Sequence, residues 1–320
     1  MPTVKILMWN TQHLNHQNER KPMSEAYEEK LDALLTTLAT LKPEIVALFE
    51  VGTTGNPNLR LVEDLKGAYE MKVSLSLEGG LRKGTTLGSM VFVRNDIAAD
   101  YVEPFELPLG EKAIRATLLL SDKSGNVFAF CHANASKAAL EQVQDDIKLL
   151  GGFRGEGIKR LVFFGGDLNT HASDAPESIT LPGHDKMYRC EPGNAGFTHI
   201  SIRSSVALAK QLYQQEKKNS LGPMQLSESQ YVNATMGTDV EAGDIAVPSL
   251  LDYAYIHESC QWKSICHASI SVRTWSDKTK SFDSVGQINS NKVYATVQRV
   301  YLGKALRSDH FPVAYLVGYP

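Results

Sequence analysis

The sequence predicts an α/β fold of four layers, in which two packed, mainly antiparallel sheets carry helices on their outer faces. Three observations carry this expectation. About ten short runs of apolar or alternating residues read as strands. They fall into two clusters, within which neighbours join as hairpins. Stretches with helical apolar spacing flank each cluster, and no linker, repeat or low-complexity tract interrupts the 320 residues. One domain over 1–320 is expected, with a long insertion at about 170–250.

In chain order, Val4 to Trp9 reads as a strand ending in Asn10, and residues 15–23 as a polar loop. Ser24 is placed to cap a helix whose Leu31, Leu34, Leu35, Leu38 and Leu41 repeat at helical spacing until Pro43 stops it. Ile45 to Phe49 is a buried strand closed by an acid, Glu50, before a loop containing Gly52, Gly55 and Pro57. Strands follow at 68–78 and 89–94. A hairpin then joins Ala113–Leu120 to Val127–Cys131 and ends in His132. Ser136 opens a helix with Leu140, Val143, Ile147 and Leu150 on one face.

The stretch at the centre of the pattern is Arg160 to Thr170. Four apolar β-formers, Leu161 to Phe164, are followed by Gly165 and Gly166, which are expected to turn the backbone at the strand's end. That turn would deliver Asp167 and Asn169 to the rim of a sheet, where open sheets place their sites. Taken alone, it could equally be an ordinary turn whose Asp and Asn bond their own backbone. From Asn169 to Leu250 the chain is polar and irregular, with one helix expected at about 203–217. Strands resume at Leu250–Ile256, 268–274 and 293–301, and a last strand follows Ser308–Val313.

Composition narrows the functional classes. Apolar residues at 42% and charged residues at 22% are those of a globular protein. A net charge of −3 advertises no global field for nucleic acid, though local phosphate contacts remain open. No run approaches the roughly 18 apolar residues of a membrane span, and the N-terminus reads as a strand rather than a signal peptide. Location stays open, secretion or delivery as a bacterial effector included, as do oligomeric and delivery partners. The four cysteines match neither a disulfide scaffold nor a zinc pattern; Cys260 and Cys266 lie close enough to pair, but nothing requires it.

Asn10, Glu50, His132, Asp167, Asn169, Asp252, Asp309 and His310 all fall within, at or just beyond expected strand ends. Glu50 and Asp309 are hard oxygen donors suited to Mg2+, with Mn2+ or Ca2+ as alternatives. Two histidines can act as general base and as general acid or phosphate donor. Asp252 can fix the tautomer of one of them, or serve only as a structural hydrogen-bond partner. Asn10, Asn169 and Arg115 can donate to phosphate oxygens as charge develops. The remaining histidines, His199 among them, read as solvent-facing or structural.

Met8-Trp9-Asn10, Leu48-Phe49-Glu50, Gly166-Asp167-Leu168-Asn169, Leu251-Asp252-Tyr253 and Ser308-Asp309-His310-Phe311-Pro312-Val313 follow one another in the order of a known family. On these motifs the chain resembles the endonuclease/exonuclease/phosphatase superfamily, with its deoxyribonuclease I-like fold, over nearly its whole length. His132, in Phe130–Ser136, and Leu251–Ala254 look most like the catalytic subunit of cytolethal distending toxins and related deoxyribonucleases. The resemblance implies that Glu50 binds the metal, with Asn10 and Asp309 helping to place it. It implies a general base at His310, oriented by Asp252, and a general acid or phosphate-binding group at His132. Asp167 and Asn169 would bind and polarise the phosphate and the attacking water, and Arg115 would grip a phosphate.

The implied activity is a divalent-metal-dependent phosphodiesterase, a weakly sequence-specific DNase whose partner is DNA. Two alternatives stand beside it. One is a phosphomonoesterase acting on a phosphoinositide headgroup or another small phosphate ester. The other is a binding module without catalysis, against which the intact set of acids and histidines argues.

Overall fold

The computed structural model describes residues 1–14, 25–52, 57–76, 87–102, 117–135, 138–152, 159–192, 198–204, 244–265, 273–276, 281–284, 310 and 312–320, together with 213, 214, 217 and 227. Two compact units result. The larger comprises Met1–His199, Ser249–Ser271 and Arg307–Pro320; the smaller comprises Ile200–Pro248 and Val272–Leu306.

In the larger unit, β1 (Thr3–Leu14), α1 (Glu25–Leu41) and β2 (Ile45–Gly52) form a strand–helix–strand unit. After it come α2 (Pro57–Leu65), β3 (Tyr69–Ser76), β4 (Leu87–Arg94), β5 (Tyr101–Val102) and β6 (Thr117–Asp122). A second strand–helix–strand unit follows: β7 (Asn126–His132), α3 (Ala139–Gly152) and β8 (Arg160–Asp167). The strands β9 (Ser178–Thr180), β10 (Lys186–Cys190), β13 (Asp252–His257), β14 (Gln261–Ile265) and β17 (Val313–Gly318) complete the unit. They build a six-stranded sheet in the order β14-β17-β1-β2-β4-β3 and a seven-stranded sheet in the order β5-β6-β7-β8-β13-β10-β9.

Each sheet contains one parallel pair, β1 with β2 and β7 with β8, bridged by its helix. A parallel pair points both C-terminal ends at one rim. The antiparallel neighbours β17 and β13 bring their N-terminal ends to those same rims. All the expected site residues outside the masked stretches follow from these four strand ends and two strand starts.

Alternation along the strands sorts the core into layers. Val4, Ile6 and Met8 of β1 and Ile45, Ala47 and Phe49 of β2 face the second sheet, where Phe128 and Phe130 meet them. Leu7 and Trp9, with Val46 and Leu48, face outward onto Leu31, Leu34, Leu38 and Leu41 of α1 and Leu61 and Leu65 of α2. On the far side, Val127, Ala129 and Cys131 pack on Val143, Ile147 and Leu150 of α3. The order is helix, sheet, sheet, helix, as the sequence predicts. Each large side chain fully removed from water stabilises this arrangement by about 1.5–3 kcal/mol.

Several local readings change. Leu35 is 40% exposed, since the buried stripe of α1 needs only the other four leucines. Gly165 and Gly166 do not turn the chain; β8 runs through them to Asp167 and pairs on both sides. Their lack of a side chain serves close approach instead. A Cβ on Gly166, where φ is +150°, would sit 1.9 Å from the Cys131 carbonyl oxygen, and one on Gly165 would sit 2.9 Å from Met8 Sδ. The segment expected to be an irregular insertion contributes β9 and β10, the outer strands of the seven-stranded sheet.

In the smaller unit, β11 (His199–Ser204), whose first residue belongs to the larger unit, pairs with β12 (Asp244–Ser249). β15 (Arg273–Ser276) and β16 (Ser281–Ser284) form an antiparallel hairpin. Strand β11 therefore occupies 203 and 204, where a helix was expected, while 213, 214 and 217 are helical. The Ser24 and Ser136 caps and the strand at 293–301 lie outside the described residues, as does Cys266. Cys131, Cys190 and Cys260 form no disulfide among the described residues.

Candidate active site

Asp167 is the hub. It ends β8, lies directly beside His132 of β7 and directly opposite Asp252 of β13, and is buried. One oxygen, Oδ2, accepts a hydrogen bond from Asn10 Nδ2 at 2.9 Å. The same oxygen lies 3.4 Å from Nε2 of His132 and 3.5 Å from Nε2 of His310. The other, Oδ1, accepts from the Asn169 backbone N–H at 3.1 Å, while Asn169 Nδ2 donates to the Ala133 carbonyl at 2.8 Å. Asn169 thus ties the end of β8 to the residue after β7. Its φ of 48° is the left-handed backbone that Asn tolerates better than most residues.

His310 sits just ahead of β17. Its Nδ1 lies 2.8 Å from Asp252 Oδ2, and its carbonyl accepts from the Trp9 indole N–H at 2.9 Å. With the proton on Nδ1, the lone pair lies on Nε2, 3.5 Å from Asp167 Oδ2. His132 presents Nε2 to two carboxylates, that of Asp167 and, at 3.6 Å, that of Glu50.

Glu50 has a local cause of its own. Against β4 the register of β2 shifts between Phe49 and Val51, so Glu50 is the extra residue of a β-bulge on that side, with φ 53°. A bulge re-aims one side chain out of the strand's alternation, and left-handed backbone at a non-glycine costs about 1–3 kcal/mol. Here the re-aimed group is a carboxylate, whose side chain keeps 17% of its exposure.

Burial and charge set the two central acids apart. Burial works to raise the Asp167 carboxyl, but His310 and His132, with hydrogen bonds from Asn10 and the Asn169 N–H, outweigh it and hold the group below the usual carboxylate range. Asp252 goes the other way: burial raises it, and the nearby Asp167 charge adds to the rise despite the attraction of His310. Two buried carboxylates flanking one imidazole cannot ionise independently. Asp167 is held toward its charged form, and Asp252, pushed the other way, is hydrogen-bonded to His310.

Asp167, Asp252 and His310 offer ligand atoms all within 4.8 Å of one another. Asp252 and His310 already bond each other; the Glu50 carboxylate, beside His132, and the amide oxygen of Asn10, whose Nδ2 bonds Asp167, are further hard donors of the same site. This donor set fits a hard divalent ion. Among the sequence-predicted residues, Asn10, Glu50, His132, Asp167, Asn169, Asp252 and His310 converge here; Arg115 and Asp309 lie outside the described residues.

Sequence reasoning missed two neighbours. Thr198 is fully buried, and its hydroxyl oxygen accepts the backbone N–H groups of Leu251 and Asp252 at 3.0 and 2.9 Å. The His199 ring packs against that of His310, centroids 4.4 Å apart and tilted by 48°. Neither bears a motif signal, since both act through contacts distant in the chain.

A sequence model described as "Endonuclease/Exonuclease/phosphatase family" matches residues 9–263. No curated protein sequence matches the chain. Among solved structures, TDP2 from C. elegans is 12% identical with a TM-score of 0.48, the alignment covering 99% of this chain and 75% of that one. D. rerio TDP2, complexed with a single-strand DNA product, is 10% identical with a TM-score of 0.48 and 99% of both chains covered. The human nocturnin catalytic domain with a bound sulfate is 13% identical with a TM-score of 0.41, covering 100% of this chain and 94% of that one. The match is to the family as a whole and leaves the narrower likeness to toxin subunits unaddressed.

Proposed function

The chain belongs to the endonuclease/exonuclease/phosphatase family and is a metal-dependent phosphoester hydrolase, and we propose that it is a DNase of weak sequence preference, cutting phosphodiester bonds with a histidine-activated water. The observation that carries this reading is the pair of imidazoles, His132 and His310, whose Nε2 atoms flank one buried carboxylate oxygen at 3.4 and 3.5 Å. Attack on a phosphodiester needs a proton removed from water on one side of phosphorus and a proton supplied to the leaving oxygen on the other. Two imidazoles held apart by a shared anion can divide that work.

His310 takes the water proton on Nε2, while Asp252 stabilises the charge that then develops on the ring. His132 donates to the leaving oxygen or to a phosphate oxygen. Asn10, Asn169 and, beyond the described residues, Arg115 donate to the non-bridging oxygens. Glu50, with Asn10 and Asp309, would hold a divalent ion, Mg2+ first, with Mn2+ or Ca2+ as alternatives. The ion supplies Lewis-acid stabilisation of charge on the phosphate. Asp167 keeps both imidazoles and the Asn10 amide in register.

Nicking of supercoiled plasmid tests the proposal. With Mg2+ the protein converts supercoiled to open-circular DNA with little base preference, chelator abolishes this, and His310→Ala lowers the rate by about 1,000-fold or more. Intact DNA at high enzyme, beside His310-dependent phosphate release from a phosphoinositide or sugar phosphate, overturns the DNase reading in favour of a phosphomonoesterase.

A further inference from the structure

The general base of the proposed reaction is held on more sides than the Asp252 hydrogen bond. The rings of His199 and His310 lie with centroids 4.4 Å apart at 48°, and the two residues form an antiparallel backbone bridge. One residue earlier, the Thr198 oxygen accepts two backbone N–H groups at the start of β13, and its hydroxyl bonds the Asp252 carboxylate. Thr198 N–H in turn donates to the Ser249 carbonyl at 2.8 Å. Consecutive residues of one segment therefore touch both members of the Asp252–His310 pair.

The Nδ1 hydrogen bond fixes one point of the imidazole, and a base whose lone pair wanders loses rate steeply. A second ring packed against it at 4.4 Å restricts that freedom. We propose that His199 is a positioning residue for His310, acting through the packing of its ring, with Thr198 positioning Asp252 through its hydroxyl. The inference rests on the reading of His310 as general base.

Three proteins test it: wild type, His199→Ala and His199→Phe. Hydrolysis of bis(p-nitrophenyl) phosphate with Mg2+ reports the chemical step whatever the natural substrate. His199→Ala lowers kcat by about tenfold or more, with KM held within about twofold. His199→Phe, which keeps a ring but no ring nitrogen, stays within about threefold of wild type. Unchanged kcat in His199→Ala overturns the proposal. So does equal loss in both variants, which would assign the role to the ring nitrogens, or a change confined to KM, which would place His199 on the substrate.

A second measurement is independent of turnover. The proton between His310 Nδ1 and Asp252 gives a downfield proton resonance, expected in wild type and His199→Phe and broadened or lost in His199→Ala. Its persistence in His199→Ala also overturns the inference. If wild type hydrolyses no phosphodiester, the proposed function falls while this resonance still tests the positioning.

Discussion

Glu50 shows what a single residue can be made to carry. Its left-handed backbone is a local cost that packing alone does not explain, because glycine would occupy the bulge more easily. Glu50→Gly is expected to raise unfolding stability by about 1 kcal/mol while lowering activity by about 100-fold or more. Glu50→Gln keeps the strain and loses the charge, so it should lose activity with stability nearly unchanged. Chemical denaturation beside plasmid nicking checks both; an active Glu50→Gly protein would remove Glu50 from the site's chemistry. The carboxylate at this position was legible because an acid directly ending an apolar run is unusual. The strain beneath it was not, since φ is set by the register of strands that meet only in the fold. Thr198 and His199 were illegible for the same reason. Their partners, Asp252 and His310, lie far along the chain, and a Thr-His pair has no spacing of its own to reveal them.

At the scale of elements, the strand–helix–strand units were readable because their two periodicities are clean. Buried strands gave unbroken apolar runs, and α1 and α3 gave leucines and valines at helical spacing. Where an element is short or half exposed, the signal fails. Lys186-Met187-Tyr188-Arg189-Cys190 buries only Met187 and Cys190 fully, so β10 reads as polar loop. Residues around Pro57 were taken for loop, although proline suits the first turn of a helix and α2 begins there. The glycine pair of β8 reads as punctuation in the sequence and is contact surface in the fold. Gly166→Ala should cost about 3 kcal/mol or more, because the added carbon meets fixed backbone. Gly165→Ala should cost less, about 1–2 kcal/mol, since the added carbon meets side chains, Met8 Sδ and the Phe163 ring, and not backbone. Equal losses, or the reverse order, in urea unfolding would show that close approach to β7 is not what Gly166 provides.

Across the whole molecule, a net charge of −3 means that any grip on DNA comes from a few groups near the site. Binding that neutralises two or three phosphates should weaken about tenfold or more between about 50 and 200 mM salt, as titration against labelled DNA would read. A flat response would point to a small phosphate ester held in a compact pocket. The site itself is built half from each sheet: Asn10 and Glu50 from one parallel pair, His132 and Asp167 from the other, with His310 arriving on the approach to β17. Trp9 and His310, joined by a hydrogen bond, stand 301 positions apart. At a synthesis rate of about 5–20 residues per second, the chain waits roughly 15–60 s between emitting one partner and the other. Contacts of such long range also form slowly. A ribosome carrying most of this chain has emitted Trp9 and still lacks the His310 that Trp9 will bond.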